Sequence, residues 1–132
     1  MKRSFALITL LMLSGMIVAV PIAFGRRNTP VKEQAVVEFP ESVKLMGVLL
    51  KGEYLVVHDE ERMARGEPCT YVYSGRVEQA SKLVTSFHCL HAARENVDHF
   101  TVTLDPRTSA YQVLEIREIQ FANTTDGHRV PR

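Results

Sequence analysis

The chain has 132 residues, with 16 Lys and Arg against 15 Asp and Glu and a net charge of +1. That length fits one domain once a targeting segment is set aside. The near-even charge excludes the basic footprint that nucleic-acid binding needs, and without Lys2 and Arg3 the balance turns slightly acidic.

Met1–Gly25 reads as a signal peptide. Lys2 and Arg3 form a basic start, Phe5 to Phe24 carries no charge, and the small residues Ala23 and Gly25 sit two apart. An uncleaved anchor is the alternative, because the apolar run approaches the ~20 residues that span a bilayer. Pro21 disturbs a spanning helix late in that run, and Arg26–Arg27 directly behind it give no clean orientation. Both readings export the remainder, to the periplasm or outside the cell, with membrane contact only if the segment is retained.

Residues 26–34 read as a polar linker, 35–121 as a β domain and 122–132 as a polar tail that frays. A first short strand is expected around Ala35–Phe39. Val43–Leu50 and Glu53–Asp59 then form a hairpin around the turn signal Lys51–Gly52. Asp59–Pro68 carries helix punctuation in miniature: Asp59 as N-cap, Glu60 and Glu61 in the first turn, Gly66 just past the end. Arg62 and Arg65 in this segment suit either an anion site or a plain charged surface.

Cys69–Tyr73 and Leu83–His91 predict a central hairpin with the polar loop SGRVEQAS between them. An antiparallel register with Cys69 opposite Cys89 sets Tyr71 against Phe87 and Tyr73 against Thr85, both favourable cross-strand pairs. Export and the presence of only two cysteines make a Cys69–Cys89 disulfide the expectation. Tyr71 and Phe87 are then interior. His99–Leu104 alternates cleanly, with Phe100, Val102 and Leu104 inward and His99, Thr101 and Thr103 toward water. The last strand, Tyr111–Phe121, slips phase near Arg117–Glu118, which predicts a β-bulge. Asn123–Thr124–Thr125 matches the glycosylation sequon.

His88-Cys89-Leu90-His91 suggests a thiolate and imidazole metal site. In a strand, however, His88 and His91 face opposite sides, and only Cys89 and His91 share one. Cys69, His58, His99 and His128 remain as partners, in no ligand spacing. The spacing therefore predicts no cofactor and no stoichiometric transition metal. Histidine-based metal binding through His88, His91, His58 and His99 is the alternative. A cysteine nucleophile needs a free thiolate, and Ser86 lacks a nucleophile-elbow motif, so no catalytic residue is assigned and a small envelope enzyme is a third reading. Tyr71 and Tyr73, with Arg62 and Arg65, are the candidate ligand or partner surface.

The stretch VVEFPESVKLMGVLLKGEYLVV, through Gly47, Leu50, Gly52 and Tyr54, resembles a turn pattern of small exported bacterial β-domain proteins. The resemblance implies exported β architecture and carries no catalytic residue across. The expected fold is all-β, a small antiparallel sandwich or barrel of six to seven strands. The expected role is a non-catalytic exported domain that binds a protein partner or small ligand at the cell envelope.

Overall fold

The computed structural model describes residues 29–106 and 109–132. The proposed signal peptide lies outside the described residues. The chain forms β1 (Lys32–Leu45), β2 (Val48–Asp59), a short helix α1 (Glu60–Ala64), β3 (Thr70–Ser74), β4 (Leu83–Phe87), β5 (Leu90–Ala93), β6 (Thr101–Leu104), β7 (Leu114–Gln120) and β8 (Asp126–Arg129).

The strands form one mixed sheet in the order β4-β3-β2-β1-β7-β8-β5, with β6 also paired to β7. The expected all-antiparallel sandwich is corrected by one parallel contact, Val43↔Leu114 and Lys44↔Glu115 between β1 and β7. The reason for the curl lies in the chain itself. β4 and β5 stand at opposite ends of the strand order, yet only His88 and Cys89 separate them in sequence. Two residues reach no further than about 10 Å between flanking α-carbons. The sheet must therefore bring its edges together, and it curls into a half-barrel.

Alternation along β1 sends Ala35, Val37 and Phe39 toward the interior and leaves Lys32, Gln34, Val36 and Glu38 exposed. The strand thus starts at Lys32, inside the expected linker, and runs on through a register shift between Phe39 and Val43. The β1–β2 turn is Met46–Gly47, not Lys51–Gly52. Both turn residues have positive φ, 50° and 79°, the requirement of a two-residue hairpin turn. Gly52 has positive φ too, but it sits within β2, opposite Phe39 where the register shifts.

The interior holds Phe39, Val43, Leu45, Leu50, Val56, Val72, Phe87, Ile116, Ile119 and Phe121. A second cluster, Leu55, Val57, Tyr71 and Tyr73, lies on the other face of β2 and β3. The β3–β4 register is Thr70↔Phe87, Tyr71↔Ser86 and Val72↔Thr85, one residue away from the expected pairing. A one-residue slip reverses faces. Phe87 accordingly joins the interior, while Tyr71 joins the outer cluster. The sequence was ambiguous here because β3 is buried on both sides.

The helix follows its punctuation. Asp59 caps it by accepting from the Arg62 N–H at 3.0 Å. Gly66 (φ 80°) ends it, with the N–H groups of Gly66 and Glu67 donating to the carbonyls of Met63 and Arg62. The β7 bulge falls at Arg117, between the pairs Thr103↔Glu118 and Leu104↔Ile116. The tail expected to fray supplies β8, paired to both β5 and β7.

Candidate metal centre at the mouth of the half-barrel

His58 extends the inward face of β2, two residues beyond Val56, and lies opposite Glu33 of β1. His128 on β8 lies opposite His91 of β5 and Ile119 of β7. The curl of the sheet brings these strand ends together. The His58 and His128 rings are 4.1 Å apart between centroids, and His91 stands 5.4 Å from His128 and 6.1 Å from His58. Phe121, itself part of the apolar interior, packs against the cluster, 5.8 Å from His128 and 6.4 Å from His58.

The two cysteines complete the mouth. Cys69 immediately precedes β3, and its N–H donates to the Phe87 carbonyl at 3.2 Å. Cys89 lies in the connection that crosses from the β4 edge to the β5 edge. Their sulfurs are at disulfide distance, with α-carbons 6.2 Å apart. The expected pairing of these residues is present. Its expected setting, a close ladder pair between two strands, is not, because β4 ends at Phe87. Sγ of Cys89 lies 3.9 Å from Nδ1 of His58.

Three sets of donor atoms converge here, each mutually within 4.8 Å: Glu33, His58 and His128; Cys89, His91 and His128; His58, Cys69 and Cys89. His58 and His128 are each 1% exposed, and His91 is exposed and opens the cluster to solvent. Nε2 of His58 and both ring nitrogens of His128 are buried and have no hydrogen-bond partner among the described residues. A carboxylate oxygen of Glu33 lies 3.7 Å from Nε2 of His128, beyond hydrogen-bond range. Leaving a buried polar atom unsatisfied costs about 1–3 kcal/mol, so three of them in one spot require an explanation. Burial, reinforced by the neighbouring His128, pushes the His58 pKa down to about 4 against the opposing pull of Glu33. The ring is neutral at neutral pH, which is the form that ligates metals.

No protein-family model, curated protein or solved structure matches the chain.

The sequence candidates divide sharply in space. His58 and His91 are in the cluster. His88 is exposed outside it, and His99 is exposed and contacts Asp98. His128, named from the sequence only as a remaining partner, is outside the predicted set, and Glu33 is not among the sequence candidates. Glu33 does share the parity of the half-buried Ala35 and Val37, a signal that it faces inward. His128 carries no such signal, because nothing periodic marks a four-residue strand in a polar tail. Tyr71 and Tyr73 are buried, and the Arg62 guanidinium stacks 4.3 Å above the Tyr71 ring. Arg62 also pairs with Asp59 and Glu78, and Arg65 with Glu61 and Glu67. Among the described residues no helix is long and apolar enough to cross a membrane.

Proposed function

We propose that this is an exported domain that holds a single transition-metal ion at the His58–His128 pair, with Glu33 and His91 as the further donors. The observation that carries the reading is the set of buried, unpartnered imidazole nitrogens on His58 and His128. A buried imidazole with no acceptor or donor opposite it is costly, and a metal ion satisfies it directly. Imidazole with carboxylate suits borderline ions such as zinc and Cu(II). The disulfide is compatible with an oxidising compartment, and the uncharged run behind Lys2 and Arg3 supports export into one. The proposed centre takes up the histidine-based alternative, with Glu33 and His128 in place of His88 and His99, and departs from the expectations of no stoichiometric metal and of a partner- or small-ligand-binding domain.

The test is a zinc titration of the full chain with its disulfide intact, read by calorimetry or a competing chromophoric chelator. One equivalent should bind. His91→Ala removes an exposed donor and should weaken binding by at least about 10-fold. His99→Ala should change nothing. Absence of stoichiometric binding, or equal effects of the two variants, contradicts the assignment.

A further inference from the structure

We propose that the Cys69–Cys89 pair gates this centre: reduction replaces its imidazole–carboxylate donors with two thiolates and an imidazole, and turns it into a site for Cu(I). The inference rests on the metal-binding reading above and concerns how the same site is regulated.

Two of the three donor sets contain a cysteine, and Cys89 belongs to both. Both sulfurs already face the cluster, within 4.8 Å of a ring nitrogen of His58. Opening the link therefore exposes two sulfur ligands beside a buried imidazole without moving a strand. Thiolates are soft and suit Cu(I) as well as zinc, whereas imidazole with carboxylate does not favour Cu(I). Two thiolates and one imidazole leave zinc one donor short of its usual four. A disulfide placed merely to brace a fold has no need of three histidines around it.

The geometry also orders the exchange. Cys69 is 1% exposed, whereas Cys89 is half-buried and borders the open side at His91. An incoming thiolate thus reaches the Cys89 sulfur, and Cys69 is the leaving group. The Cys89 N–H donates to Sγ of Cys69 at 2.8 Å, and the Thr70 hydroxyl lies 3.6 Å from it. These two donors stabilise the developing negative charge against the Phe87 carbonyl at 3.5 Å. With a dithiol as reductant, one donor thiolate attacks Sγ of Cys89 and the Cys69–Cys89 bond breaks. The second donor thiol then resolves the mixed disulfide, and the donor leaves as its own disulfide. The two electrons pass from donor to Cys69 and Cys89. The two protons of the donor go to solvent as the cysteine thiolates bind one Cu(I). Exchange with an oxidised dithiol reverses the steps and releases the ion.

The experiment compares Cu(I) and zinc affinities of the full chain, oxidised and after treatment with a trialkylphosphine, by competition against a chromophoric Cu(I) chelator and a zinc dye. The reduced chain should bind one Cu(I) at least about tenfold more tightly than the oxidised chain, the scale on which loss of a metal-site partner is felt. A sulfur-to-copper charge-transfer band should appear with it. Cys89→Ser and the Cys69→Ser/Cys89→Ser pair should both lose the gain and the band. Circular dichroism on each variant establishes that the fold survives, and Cys89→Ser leaves the buried Cys69 in place. Equal Cu(I) affinity in both redox states, or a gain that persists in the double variant, overturns the gate. Zinc binding by the oxidised chain without a Cu(I) gain sinks the gate alone and leaves the imidazole site standing. Failure of the oxidised chain to bind zinc and of the reduced chain to bind Cu(I) sinks both.

Discussion

His58 shows how one residue's surroundings set a measurable property of the whole protein. Its folded pKa of about 4 lies below its ordinary value of 6.5, because burial and the facing His128 and His91 disfavour the charged ring more than Glu33 and Glu60 favour it. A depressed folded pKa means that the unfolded chain takes up the proton first. The His58 contribution to stability is therefore complete above pH 6.5 and is lost as pH falls toward about 4. The loss has a limiting slope of about 1.4 kcal/mol per pH unit and a total of at most about 3 kcal/mol. The urea midpoint of chelator-treated protein should fall steadily from pH 7 to pH 5. A flat midpoint across that window contradicts a buried, neutral His58. Part of this was legible in the sequence, since His58 closes the apolar run Tyr54–Val57 at the parity of Val56. The pairing with His128 was not, because it depends on two strand ends seventy residues apart in sequence.

Among the elements, the β1–β2 turn carries the clearest local conflict. Gly47 suits its φ of 79°, but Met46 holds φ 50° with a side chain that disfavours the left-handed region. Met46→Asn supplies the residue most compatible with the first position of this turn and should stabilise the domain by about 0.5–1 kcal/mol. Met46→Val should destabilise it, because a branched β-carbon fits that backbone worse still. Chemical denaturation of the two variants checks both signs, and a neutral Met46→Asn would mean that the turn conformation is not populated. Local chemistry made α1 and the β7 bulge readable, with Asp59 and Gly66 marking one and the phase slip at Arg117–Glu118 the other. It misplaced this turn because Gly47 and Gly52 both offer positive φ, and only the pairing partner of β2 decides between them.

For the whole molecule, the curl of the sheet is the organising fact, and it was the least legible. Alternation identifies strands and their faces, but strand order is a property of long-range pairing. The parallel β1–β7 contact and the placement of β4 and β5 at opposite ends of the order have no local signature. The Cys69–Cys89 link ties the start of β3 to the connection that bridges those two edges, beside His58. The residues are 20 apart in sequence, and constraining a loop of that size contributes about 3 kcal/mol. Cys69→Ser/Cys89→Ser should lower the unfolding free energy by that order while leaving the far end of the sheet, around Met46–Gly47, protected from hydrogen exchange. Loss of protection there as well would show that the link holds the entire sheet and not its seam.

In the proposed centre three of the five histidines, His58, His91 and His128, converge on one ion. Long-range proton–nitrogen spectra of the imidazole rings test it directly, on the full chain with the disulfide intact, before and after one equivalent of zinc. Coordination shifts are expected at ring nitrogens of His58, His91 and His128, with His88 and His99 unchanged. Unchanged His58 and His128 resonances, or shifts confined to His88 and His99, would contradict it.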